Sequence, residues 1–114
     1  MTRFQTVEQV LAAVQARFRP EKAGDADVVG HLRVTGEGGG DWTLRIADGR
    51  LTIAPGEPHE PDAMRLEASR EVFLALANGE LDATKAYFSG KVHFKGNLRQ
   101  VYRLMDLFRL ERGD

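Results

Sequence analysis

A chain of 114 residues and 12.7 kDa has the size of one domain, taken as residues 1–114. It can bury roughly two-thirds of its unfolded surface without a disulfide or structural metal. With 42% hydrophobic and 29% charged residues it fits neither a disordered polyelectrolyte nor a membrane protein. Its longest apolar run, Val72 to Ala77, is too short to cross a bilayer, and MTRFQTVEQV lacks the apolar core of a signal peptide, so a cytoplasmic location is expected. The absence of cysteine removes disulfides, thiolate nucleophiles and cysteine zinc sites. Residues 83–114 hold seven basic against three acidic groups, a net +4, which leaves −5 for the rest of a chain whose total is −1. That basic third reads either as a solvated face or as a weak docking surface for anionic headgroups. A pI near 6.3 argues against nucleic acid as a partner.

The first helix is expected from Thr6 to Phe18, because Val7, Val10, Leu11, Val14 and Phe18 fall on one helical stripe. Thr6 with Gln9 forms a capping-box pattern, Pro20 ends the helix, and Glu21 to Asp27 reads as a polar connection. From Val28 the period changes to two. Leu32 and Val34, then Trp42, Leu44 and Ile46, then Leu51 and Ile53 define three successive strands with one buried face. The first two are joined by the glycine-rich Glu37 to Gly40, the second and third by Asp48-Gly49, a strong two-residue turn signal. Three prolines in Pro55 to Asp62 force an extended loop, after which Met64, Leu66 and Ala68 alternate as a fourth strand. Ser69 caps a helix from Arg70 to Ala77, stopped by Asn78-Gly79. Asp82 caps a shorter one from Ala83 to Phe88. A fifth strand spans Lys91 to Lys95, and Asn97 opens a last helix from Leu98 to Leu110. Strands mostly precede helices, which predicts an α+β fold with the helices on one face of the sheet.

A catalytic apparatus is hard to assemble from this inventory. Ser69 and Ser89 are better explained as a helix cap and a helix exit. His31 and His93 have outward parity on different strands and lack a third ligand for a metal. His59, Glu60 and Asp62 read as part of a solvated acidic loop, and Gly36 to Gly40 leads into a strand, with no helix N-terminus to receive a phosphate. No cofactor, metal or catalytic residue is assigned. The unusual element is the last helix, where Leu98, Val101, Tyr102, Leu104, Met105 and Phe108 cover an arc of roughly 160°. Periodicity leaves open whether these side chains fill a core or line an apolar cavity.

The succession Gly79-Glu80-Leu81, Ala86 to Phe88, Gly90-Lys91-Val92 and Gly96-Asn97-Leu98 resembles the C-terminal signature of the sterol carrier protein 2 family. The meander with Trp42-Thr43-Leu44-Arg45-Ile46 and Asp48-Gly49, and the loop containing Pro61-Asp62, are similar too, so the likeness runs from about Val7 to Leu110. Asp82-Ala83 departs from it, since many members carry a proline there. The resemblance implies a five-stranded, mostly antiparallel mixed sheet with helices on one face and an apolar cavity for a fatty acid, fatty acyl-CoA, sterol-like or other lipid, without covalent chemistry. Parity, the helical wheel and the likeness together place Leu32, Val34, Trp42, Leu44, Phe73, Leu76, Tyr87, Phe88, Phe94, Val101, Leu104, Met105 and Phe108 around that cavity. Lys85, Lys91, Lys95, Arg99 and Arg103 are expected to form a cationic surface near its mouth, for transient contact with an anionic membrane. The competing reading is an accessory module that dimerises or docks on a partner enzyme through its apolar C-terminal helix.

Overall fold

A computed structural model describes residues 3–25 and 27–96. The first helix, α1 (Val7–Arg17), begins at the expected capping box, with Thr6 Oγ1 accepting from the Gln9 amide and Gln9 Oε1 accepting from the Thr6 amide. Its stripe Val7, Val10, Leu11 and Val14 is buried. The connection after it is not wholly irregular: Pro20–Ala23 form a short helix, α2, with Pro20 at its first turn. Phe18 and Arg19 are both extended, as steric conflict with the following proline ring demands at Arg19. Proline's fixed φ and missing amide suit the first turn of a new helix.

Five strands follow, β1 (Val28–Thr35), β2 (Gly40–Ala47), β3 (Arg50–Pro55), β4 (Met64–Ser69) and β5 (Val92–Lys95), in the sheet order β3-β2-β1-β4-β5. At the β2–β3 turn Asp48 and Gly49 have φ of 54° and 72°, the double left-handed geometry of a type I′ turn that asparagine, aspartate and glycine tolerate. β1 pairs antiparallel with β2 and parallel with β4, while β4 and β5 are antiparallel, which makes the sheet mixed. Since β3 and β4 both run with β1 and lie on either side of the β1–β2 pair, the chain must travel back across a sheet face between them. Residues 56–63 make that crossing.

Two helices lie between β4 and β5: α3 (Arg70–Ala77), whose first turn is capped by Ser69, and α4 (Ala83–Phe88), capped by Asp82. Together with α1 they cover the face carrying Leu32, Val34, Ile46, Leu51, Ala68 and Val92, all buried. Asn78 ties the end of α3 to the N-terminal segment through two bonds with the Phe4 backbone, at 2.8 and 3.0 Å. The helix expected over Leu98–Leu110 lies outside the described residues, as do its cavity candidates Val101, Leu104, Met105 and Phe108.

Candidate functional site

The sheet separates two environments of opposite chemistry. On the helix side, Leu32 and Val34 are buried beneath Val7 and Leu11 of α1, with Trp42 and Leu44 half-buried at the margin of that cluster. Phe73 is the hub, since it packs against all three apolar clusters of the described residues. Its helix is unusual: every residue from Val72 to Ala77 is apolar, yet α3 has no fully buried residue. Leu76 joins the cluster around Ala68, Ala86 and Val92, while Phe94 is half-buried on β5. Tyr87 and Phe88 lie outward on α4, 42% and 80% exposed, with their rings 5.4 Å apart in an edge-on arrangement. The structure therefore brings Trp42, Phe73 and Leu76 to the inner apolar surface, whereas Tyr87 and Phe88, expected to line a cavity, face outward and join none of the three clusters. Leu66 belongs with the first group, bridging two clusters. Its inward parity between Met64 and Ala68 was the signal for it.

Of the predicted cations, Lys95 is the one whose face the sheet fixes. Lys85, Lys91 and Lys95 are all exposed, but Lys95 follows Phe94 on β5 and lines a cleft on the opposite side of the sheet from the helices, beside His31. Arg99 and Arg103 lie outside the described residues.

That opposite face is polar and is partly roofed by residues 56–63. His31, only 5% exposed, has Nε2 2.7 Å from Asp41 Oδ1, so the ring N–H donates to the carboxylate. Arg33 Nε donates to the same oxygen at 2.8 Å and its Nη2 lies 3.4 Å from Glu57 Oε2. Arg45 Nη1 meets Glu60 Oε2 at 2.9 Å. The Arg33 guanidinium, and secondarily His31, hold the Asp41 carboxyl below the usual carboxylate range. Arg45, helped by the backbone amide of Glu60 itself, does the same for Glu60. The loop is also pinned by the Gly56 amide to Asp41 O at 2.9 Å and by Thr43 Oγ1 to Gly56 O at 2.7 Å. Far from being only a solvated acidic loop, it is a clamp built from neutralised charges. Among the described residues no group of three or more His, Asp or Glu is placed to hold a metal ion.

Comparison with known proteins matches the model of the SCP-2 sterol transfer family over residues 8–109. A curated relative, hydroxysteroid dehydrogenase-like protein 2 of Rattus norvegicus, is 28% identical over 104 residues, which are 91% of this chain and 20% of that protein. The chain thus spans about a fifth of the length of such relatives. The solution structure of palmitated SCP2L2 from Aedes aegypti superposes with a TM-score of 0.75 at 19% identity, covering 96% of this chain and all of that one. A variant of the sec-alkyl sulfatase PisA1 superposes with a TM-score of 0.81 at 18% identity, over 91% of this chain and 16% of the sulfatase.

Proposed function

The chain belongs to the SCP-2 sterol transfer family, and on that premise we propose that it binds a fatty acid, fatty acyl-CoA, sterol-like or other lipid on the helix side of its sheet and releases it unchanged. The observation that carries this reading is α3, where Phe73 packs against all three clusters while the apolar run Val72 to Ala77 stays only half-buried. Such a helix has apolar area left for a further partner. Trp42, Leu66, Phe73, Leu76 and Phe94 would meet the lipid first, with Leu44 beside them, while Leu32 and Val34 support that surface from beneath α1. Val101, Leu104, Met105 and Phe108 supply the remaining wall, on the strength of the wide apolar arc that the sequence places between Leu98 and Leu110. Removing each methylene from water contributes about 0.8 kcal/mol, so a long acyl chain offers on the order of 10 kcal/mol before ordering costs are subtracted. Micromolar binding corresponds to about 8 kcal/mol and needs no hydrogen bond.

A second reading has its own support, because the same unit forms about a fifth of its curated relatives and a sixth of the sulfatase. In that setting it would present a lipid to, or dock on, a partner enzyme. Native mass spectrometry with palmitate and palmitoyl-CoA, followed by fluorescence of Trp42, the only tryptophan, tests the carrier reading. One-to-one adducts and a saturable change in emission are expected. A bare dimer with no adduct and unchanged emission would replace the carrier with the docking module.

A further inference from the structure

We propose that the cleft between residues 56–63 and the polar face of the sheet is a second site, one that binds a small oxyanion of the carboxylate or phosphate class through Arg65 and Lys95. The cleft encloses about 210 Å³ and is lined by His31, Glu57, His59, Glu60, Arg65 and Lys95, among others. That volume is below the roughly 300–1,000 Å³ of sites for drug-sized ligands, and six of the nine lining residues are polar or charged, so neither a sterol nor an acyl chain belongs there.

The charges of the lining are unequally spent. Glu57 faces Arg33 and Glu60 is bonded to Arg45, while the second oxygen of Glu60, Oε1, is sealed from solvent and lacks a hydrogen-bond partner. Each acid already faces an arginine, so neither brings an unpaired charge into the cleft. Arg65 and Lys95 make no ion pair with any described residue. Glu67, the next outward position on β4, stands opposite Arg33 and His93 in the two ladders. Arg65 and Lys95 are themselves direct partners in the β4–β5 register, and like charges set opposite each other on a sheet face destabilise it. An oxyanion between them turns that repulsion into a two-point clamp, with the arginine fork able to take two oxygens.

The cleft is also preformed. Pro55, Pro58 and Pro61 stiffen the roof, the pairs to Arg33 and Arg45 fasten it, and His31 is fixed in the floor by Asp41. Little ordering entropy remains to oppose binding.

The test titrates the whole chain with inorganic phosphate at constant ionic strength, following the His31 and His59 ring signals and the Arg65 and Lys95 amides by NMR. Parallel titrations use acetate and phosphatidic-acid vesicles. Saturable shifts with free phosphate or acetate identify a free-anion site, and saturation by the vesicles alone identifies a headgroup. R65Q/K95Q should weaken binding at least about tenfold. It should melt no lower than the wild type in chloride, because a like-charge contact is removed, and its Tm should stop rising with phosphate. The single variant K95Q, at an exposed position, serves if the double variant folds poorly. Shifts that stay linear in all three titrations, or that saturate equally in the variants, overturn the proposal. Because Trp42 reports the other face, such a failure leaves the lipid reading standing, and loss of the lipid reading leaves this one.

Discussion

Asp41 offers the sharpest test of the physical reasoning, because one carboxylate oxygen serves two donors, His31 and Arg33. Asp41→Ala removes the acceptor from His31, which is 5% exposed in the wild type, so a largely buried ring nitrogen loses its partner. An unsatisfied buried polar group costs about 1–3 kcal/mol, and the site is near the middle of that range because the Asp41 side chain is 32% exposed and its pairing is partly screened. Asp41→Asn keeps an oxygen acceptor and loses only the charge, which roughly halves the strength of such bonds. The expected losses are therefore about 2 kcal/mol for the alanine variant and about 1 kcal/mol for the asparagine variant. For a domain of this size each kcal/mol lowers Tm by about 4 °C, and urea m-values should be unchanged.

The pH dependence follows from the depressed Asp41 carboxyl. A group whose folded pKa lies below its unfolded value of about 3.9 contributes stability that is present above that value and is lost as pH falls through the folded one. The difference between wild type and Asp41→Asn should thus be full from pH 5 to 7 and shrink below pH 4, where the wild-type carboxyl becomes protonated too. Thermal melts between pH 2.5 and 7 read this directly. A difference constant across that range, or equal losses for the two variants, would refute the account of His31 and Arg33 as joint donors to one carboxylate.

Phe73→Ala should destabilise the protein by about 3 kcal/mol, at the low end of values for aromatic truncation because the ring is only partly buried. Urea denaturation checks it, and a loss below about 1 kcal/mol would deny Phe73 its place as hub of three clusters. Gly39→Ala should cost about 3 kcal/mol, since an added Cβ would stand 2.1 Å from Val34 O, a backbone atom. Gly36→Ala, with open space around it but φ at 93°, should cost only about 1 kcal/mol, and equal melting temperatures for these two variants would contradict the hairpin geometry.

What could be read from the sequence was local. Period-two alternation assigned Leu32, Val34, Leu44 and Ile46 to the helix side, because a strand residue's face depends on nothing but its parity. Thr6, Ser69 and Asp82 marked helix starts because a cap bonds within three residues of itself. The Asp48-Gly49 turn is encoded in two side chains that tolerate positive φ. The Pro20 helix was missed for a related reason, since proline terminates one helix and opens the next with the same two properties, and only the path of the following chain distinguishes them.

The polar face was out of reach because its interactions are remote in sequence. Parity placed His31 outward correctly, but outward means solvent only where nothing covers the strand, and here the β3–β4 crossover does. That crossover is forced by the parallel pairing of β1 with β4, a relation between strands that alternation within either one cannot express. Arg33 and Arg45 then find Glu57 and Glu60 because the returning chain passes over them, and a loop whose composition suggested exposure becomes a roof. The placement of Lys95 was out of reach in the same way. Lys95 counts with Lys85 and Lys91 along the chain, but its face is set by strand parity, which puts Phe94 on the apolar side and the adjacent Lys95 on the polar side, and a charge tally by segment carries no such information.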